Sequence, residues 1–335
     1  MIRGKQSIEF ECAPYVLAHA CTAGKKEGEG PLGELIDEID EDPMFGMKTW
    51  EEAESQLQKI TAEKVLTKSG MKNTDIRYIF AGDLLGQLIA TSYGIMDLQI
   101  PLFGVYGACS TMGETMALAS MVVGGGYAEN VIALASSHFA SAEKQFRFPL
   151  EYGNQRPLAA TWTVTGCGAV IIGNEAKSHV RIAGITTGKI VDYGVKDSMN
   201  MGACMAPAAA ELITQNYSDF GVKSGFYDLV ITGDLGYVGK TIVLDLLEEK
   251  GIKIEDIYSD CGIEIFDQET QDTHSGGSGC GCSAVTLCAK LLPELESGKL
   301  NRILFVPTGA LLSPTSFNEG KSVPGIAHGI ILEHC

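Results

Sequence analysis

The second half of this chain repeats the first, and that duplication restricts the fold more than any single segment does. YIFAGDLLGQ at Tyr78–Gln87 reads as a strand ending in Gly-Asp-Leu, and DLVITGDLGYVG at Asp228–Gly239 repeats it. NVIALASSHFAS at Asn130–Ser141 corresponds to RILFVPTGALLS at Arg302–Ser313, each a strand followed by small and hydroxyl residues. VTGCGAVIIGNE at Val164–Glu175 corresponds to PGIAHGIILEH at Pro324–His334. YGACSTMGETMALAS, with Ala108-Cys109-Ser110, likewise faces GSGCGCSAVTLCAKL, with Cys280-Gly281-Cys282. Offsets of roughly 150 to 170 residues, kept in order, indicate a duplicated domain and not a short-period solenoid. The two halves, 1–177 and 178–335, are expected to meet near Glu175–Val180.

Within each half, short β-branched runs alternate with helix-length segments, the pattern of strands covered by helices on both faces. The strands expected are Ile76–Ala81, Pro101–Tyr106, Asn130–Ala135, Thr163–Gly173, Arg181–Ile185, Leu229–Thr232, Arg302–Pro307 and Gly325–Glu333. The helices expected are Trp50–Ser69, Thr111–Val123, Ala206–Gln215, Thr241–Lys250 and Ser283–Leu295. The first has amphipathic spacing, with Ala53, Leu57 and Ile60 giving way to the charged Lys64. Two such halves create a crevice where strand ends converge, a usual place for a small-molecule site. The repeated Gly-Asp-Leu turns and hydroxyl-rich strand ends are expected to line it.

A chain of 335 residues that is 45% hydrophobic buries a large core. A net charge of −17 removes nucleic-acid binding from consideration, because that affinity comes mainly from phosphate neutralisation by clustered Lys and Arg. Acidity also disfavours direct adhesion to anionic lipid, although a protein partner could still hold the molecule at a membrane. The opening MIRGKQSIEF has no apolar core of signal-peptide length, and no apolar run reaches membrane-spanning length. Ten scattered cysteines without a C-x-x-C pair suit a reducing compartment. The expectation is a soluble, intracellular protein.

Cys109 follows the strand-like PLFGVYG and precedes a helix with a capping-box pattern, Thr111 and Glu114. A thiol at a helix N-terminus is expected to have a lowered pKa, and Gly104 and Gly107 permit the turn that presents it. A buried structural cysteine is the alternative. Asp83 fits either a helix cap or a pocket acid. Ser136, Ser137 and His138 place hydroxyls and an imidazole at another strand end, able to bind a carboxylate. The long connection 139–162 gathers Lys144, Arg147 and Arg156, consistent with an anionic ligand or with a solvated dimer-facing loop. Cys280-Gly-Cys282 with His274 lacks zinc-site spacing, so no metal site is expected and this segment reads as a glycine-rich pocket wall.

The duplicated halves, the GACST turn and the TVTGCGAVIIG strand resemble the thiolase superfamily, especially enzymes like ketoacyl-carrier-protein synthase III, over nearly the whole chain. Within it, AGDLLGQ, GACSTMGETMALAS, ASSHFASAEKQFRFPLEYG, MAPAAA, GGSGCGCSAV, TGALLSP and IAHGI are similar to the stage V sporulation AD family. The resemblance implies an α/β, thiolase-like fold: two duplicated α/β halves in a layered αβαβα architecture with mixed five-stranded sheets. It implies binding of dipicolinic acid, pyridine-2,6-dicarboxylate, alone or with calcium, and support of its uptake into the forespore. It further implies a homodimer, company with membrane proteins of the stage V sporulation A operon, and a peripheral place on the cytoplasmic side of the inner spore membrane. Carried over residue by residue, Asp83, Cys109, Ser110, Ser136, Ser137 and His138 stand at the family's pocket, with Arg147, Tyr152 and Thr165 in matched segments.

The chain departs from the ketoacyl synthases where chemistry is concerned. Those enzymes pair the Cys with a His and a second His or Asn from the other half, which polarise the thioester carbonyl and move protons. Around Tyr258–Phe266, where such a turn is expected, this chain reads YSDCGIEIF, and GGSGCGCSA has no Asn. The partners are missing unless His274 or His328 substitutes. The leading expectation is a non-catalytic binding protein without a cofactor. Its rivals are an acyltransferase using Cys109 as nucleophile and a structural subunit with an empty pocket.

Overall fold

The computed structural model describes residues 1–146 and 155–335. Arg147 and Tyr152 lie outside the described residues. The first half contributes strands β1 (Tyr15–Gly24), β2 (Tyr78–Gly82), β3 (Leu102–Gly104), β4 (Asn130–Ser137) and β5 (Gly166–Gly173). The second contributes β6 (Val180–Thr186), β7 (Leu229–Thr232), β8 (Tyr258–Asp260), β9 (Arg302–Val306) and β10 (Gly329–His334). Their spatial orders are β1-β5-β4-β2-β3 and β6-β10-β9-β7-β8, the same permutation twice. Strand senses repeat as well. β2 is parallel to β3 and β4, as β7 is to β8 and β9, whereas β5 and β10 run antiparallel to both neighbours. The blocks touch edge to edge at Arg181 opposite Tyr15.

Helices α1 (Trp50–Ser69) and α2 (Ile89–Gly94) cover the outer face of the first block, with α4 (Phe139–Phe146) against α1, and α5 (Met201–Phe220) and α6 (Gly236–Glu248) cover that of the second. Between the blocks lie α3 (Thr111–Gly124) and α7 (Cys280–Thr286), the latter continued through a π-helical turn, Leu287–Leu291, into Leu292–Glu296. Alternation along the strands serves all these layers. In β4, Ile132 and Leu134 face α1 while Val131, Ala133 and Ala135 face the middle layer. In β9, Ile303 and Phe305 face the middle layer while Leu304 and Val306 face α5. Strands buried on both faces read as continuous apolar runs, as the sequence shows.

α1 begins on a complete capping box, Thr49 with Glu52, and stops at Gly70 with φ 70°. Its core face carries Ala53, Leu57, Ala62 and Val65, but also fully buried Glu54 and Gln58. These polar residues sit under the strand ends that point toward the site.

Two expected strands break. Thr163–Gly173 divides, so that Trp162–Thr163 pairs with Gly277–Ser278 before β5 starts. Gly325–Glu333 divides at His328, with Gly325–Ala327 pairing to Thr308–Ala310. Both breaks fall at the site end of the molecule, where each chain leaves the sheet to wall the crevice. β1 was not expected: YVLAHACTAG offers few β-branched residues and no polar alternation, because both of its faces are covered.

Candidate functional site

Cys109 lies where β3 turns into α3, at the C-terminal ends of parallel strands. The turn places Ala108 in the left-handed region, at φ 50°, and neither Gly104 nor Gly107 has a positive φ. Gly309 packs so closely on this turn that a Cβ there would sit 2.2 Å from the Gly107 carbonyl. The capping box expected at α3 does not form. Thr111 Oγ1 instead donates to the Ala108 carbonyl at 2.6 Å and accepts from Gly107 N–H, while Ser110 Oγ donates to the Gly107 carbonyl at 2.7 Å. These hydroxyls therefore tie the turn together.

The expected lowering of the Cys109 pKa is reversed. Burial pushes the thiol well above its ordinary value, and the charge of the neighbouring Asp234 carboxylate adds to this. Ser278 and the Gly279 N–H act in the other direction without prevailing. Asp234 belongs to the second Gly-Asp-Leu turn, after β7. It accepts from Thr308 Oγ1 at 2.8 Å, Gly279 N–H at 2.9 Å and Ser278 Oγ at 3.3 Å, and burial lifts its pKa to about 7. A helix N-terminus favours an anion, but at this one the neighbouring acid competes for that role.

The partners that the second half supplies to Cys109 are thus Asp234 and Ser278. They come from the turn after β7 and the wall before α7, not from Tyr258–Phe266. In that segment Asp260 is buried and accepts from Leu235 and Gly236 N–H at 2.8 and 2.9 Å, so it braces the Asp234 turn from behind. His274 bonds the Pro157 carbonyl and pairs with Asp272, away from the thiol. His328 is buried, with its pKa lowered to about 4 by burial, and its Nδ1 faces Gly188 N–H at 3.5 Å. Neither lines the cavity beside Cys109.

A cavity of about 30 Å³ opens beside Cys109, walled by Leu84, Tyr106, Phe146, Thr163, Ser278 and Leu312. That is room for about one water, whereas small-molecule pockets run to about 300–1,000 Å³. Phe146 and Met201, both half-buried, form its rim, and Glu143 on its wall accepts from Thr163 Oγ1 at 2.8 Å.

Of the other residues singled out from sequence, most have structural partners. Asp83 accepts from Leu85 N–H, Thr91 N–H and Thr91 Oγ1 at 2.8, 2.8 and 2.5 Å, holding the entry to α2. Ser136 Oγ donates to Glu54 at 2.8 Å beneath α1, and Ser137 Oγ donates to the Val164 carbonyl at 2.7 Å. His138 Nε2 bonds the Pro43 carbonyl at 2.8 Å, and its ring lies against Trp50 and Phe45. Thr165 Oγ1 accepts from Phe139 N–H at 3.0 Å. Of the expected cationic cluster, Arg147 lies outside the described residues, and the other two are paired with acids. Lys144 pairs with Glu51, and Arg156 pairs with Asp272 while stacking on Trp162. Asp234 and Ser278 were not singled out from sequence, although the repeat marks Asp234 as the counterpart of Asp83.

A family model described as "Stage V sporulation protein AD (SpoVAD)" matches residues 4–333. The stage V sporulation protein AD of Bacillus subtilis (strain 168) is 44% identical over 332 residues, 99% of this chain and 98% of that one. Among solved structures, 3-oxoacyl-[acyl-carrier-protein] synthase III from Aquifex aeolicus is similar with a TM-score of 0.55 at 13% identity, covering 96% of this chain and 100% of that chain. A thiolase of Ascaris suum, solved with coenzyme A, is similar with a TM-score of 0.60 at 10% identity over the same shares. At such identities the likeness establishes the thiolase-like fold alone.

Proposed function

The chain belongs to the stage V sporulation protein AD family, and from that premise we propose that it is a non-catalytic, thiolase-fold binding protein of sporulation whose ligand is dipicolinate. The observation that carries the non-catalytic half of this reading is the Cys109–Asp234 pair. A nucleophilic cysteine needs a neighbour that accepts its proton and leaves a thiolate stabilised by positive charge. Asp234 is the neighbouring acid, but once ionised it opposes the thiolate, and the cavity holds no imidazole among the described residues. An acyl-thioester would also lack histidine or asparagine donors for its oxyanion.

The ligand half rests on the family. The cleft beside Cys109 supplies hydroxyl groups from Tyr106, Thr163 and Ser278, with Leu84 and Leu312 for the ring faces. Admission of a dicarboxylate requires the half-buried Phe146 and Met201 to turn outward. The protein would then support dipicolinate uptake, with or without calcium, from a peripheral position beside the membrane proteins of its operon. Among the described residues no helix is long and apolar enough to cross a membrane.

Titration calorimetry with dipicolinate is expected to show saturable heat that Cys109→Phe, which fills the cavity, abolishes. Acyl-coenzyme A is expected to leave no adduct on Cys109 by mass spectrometry. Absence of heat at millimolar dipicolinate overturns the ligand assignment. An acyl-Cys109 peptide overturns the non-catalytic one.

A further inference from the structure

A second cleft, of about 500 Å³, lies at the opposite end of the same strands. β9 runs from Arg302 at this cleft to Val306, and Thr308 just beyond reaches Asp234 at the Cys109 site. Across β6, β10 and β9, Arg181, Glu333 and Arg302 stand side by side in register. Arg181 Nε donates to Glu333 Oε2 at 2.8 Å, and Arg302 Nε donates to Glu333 Oε1 at 2.5 Å. One carboxylate, whose side chain is only 9% exposed, therefore anchors two guanidiniums. Each arginine retains most of its N–H donors, since the further bonds run only from Arg181 Nη2 to Glu333 and from Arg302 Nη1 to the Phe226 carbonyl.

Other acids stand around the cleft, and the Asp228 charge acts on Arg302. Glu9 is paired with Arg3, Glu11 is exposed at the rim, and Asp228 accepts from the N–H groups of Asn301 and Arg302. The walls are apolar and partly aromatic: Phe10, Phe220, Phe226 and Ile331 line the space. Arg302 is fixed over the Phe226 ring, 4.3 Å from its centroid, so its plane is set before any ligand arrives. In a chain of net charge −17, two guanidiniums on one carboxylate at the base of an aromatic cleft form a local exception.

We propose that this cleft binds a small aromatic monocarboxylate. The guanidinium forks match a carboxylate in geometry, and the phenyl rings match a flat apolar body. The volume lies within the range of small-molecule pockets. The site is separate from the Cys109 cleft and goes beyond the function proposed above.

The probe is 4-fluorobenzoate, observed by fluorine NMR, with alkylation of Cys12 as a second reporter. Cys12 is an exposed thiol on the cleft wall, and its peptide is separable by mass from that of the other exposed thiol, Cys335. The wild-type protein is expected to shift and broaden the fluorine signal saturably, and the bound probe to slow Cys12 alkylation. Arg181→Gln is expected to weaken binding by about tenfold or more, the effect of losing one charge-assisted contact. The Arg181 side chain is 44% exposed and Arg302 stays on Glu333, so this variant keeps the fold, which thermal unfolding checks. Phe226→Leu is expected to weaken binding by several-fold through the lost ring face. Lack of a saturable shift at millimolar probe, undiminished affinity in Arg181→Gln, or an unchanged Cys12 rate overturns the proposal. Displacement by inorganic phosphate as effective as by benzoate overturns its aromatic part. Dipicolinate and the Cys109 variants play no role in these readouts, so the two readings fail separately.

Discussion

Replacing Asp234 by Asn isolates the electrostatic hold on Cys109. The Asp234 charge adds to burial in holding the thiol above its ordinary value, and two unit charges about 4 Å apart at an effective dielectric near 20 oppose each other by about 4 kcal/mol. Asp234 itself titrates near 7, so the opposition is partial at pH 7 and nearly complete at pH 8.5. The substitution is tolerable locally. Asn Oδ1 still accepts from Gly279 N–H, and the Thr308 hydroxyl, which both donates to the Asp234 side chain and accepts from Asp234 N–H, can rotate to receive the new amide. Burial of Cys109 is the same in both proteins, so a ratio of rates cancels access. Iodoacetamide labelling of the native protein, quantified on the Cys109 peptide by mass spectrometry, is expected to run at least about tenfold faster in Asp234→Asn at pH 8.5. The ratio is expected to approach one as pH falls well below 7. A ratio under about twofold at pH 8.5, or one that does not change with pH, refutes the assigned role of Asp234.

Other buried acids make stability depend on pH. Burial raises Glu27 and Asp234 to about 7, and burial followed by the Asp83 charge raises Glu54 to about 8. Their folded values exceed the unfolded ones, so the stability present below about pH 4 is lost as pH climbs through 7 to 8. Asp42, held down by N–H donation from Met44 and Gly46, and Asp267, held down by Thr270, act oppositely and lose their contribution in acid. The thermal midpoint is therefore expected to peak near pH 5–6 and to fall by about 5 °C or more toward pH 9, with Glu54→Gln falling less steeply; a midpoint flat from pH 6 to 9 refutes this. The edge strand β3, with Leu102 and Phe103 41% and 50% exposed, is expected to pair with a second copy. Sedimentation is expected to show a dimer for the wild type and a monomer for Phe103→Lys, and a wild-type monomer at micromolar concentration refutes the pairing.

Much of the fold was legible in the sequence because it rests on local regularities that occur twice. Apolar runs marked β2, β4, β7 and β9, and Trp50–Ser69 was bounded by its cap and by Gly70. Where segments left their expected pattern, a distant contact was responsible. β5 and β10 start only at Gly166 and Gly329 because Gly277–Ser278 and Thr308–Ala310 claim residues that precede them. β1, with alanine and cysteine on faces packed against helices, carried no periodic signal to read.

The sequence by itself determined the duplication, the placing of Cys109 between a strand and a helix, and the absence of a histidine and asparagine in the turns that would serve it. Only the tertiary structure decided what Cys109 is. Asp234 and Ser278 lie on separate segments of the other half, with Thr308 of a third bonded to Asp234, and packing of the two halves brings the acid and the hydroxyl to one thiol. The same local motif, Gly-Asp-Leu, closes a turn around Thr91 in the first half and suppresses a thiolate in the second. A side chain's charge state is set by burial and by neighbours in space, and neither of these is a local property of the chain.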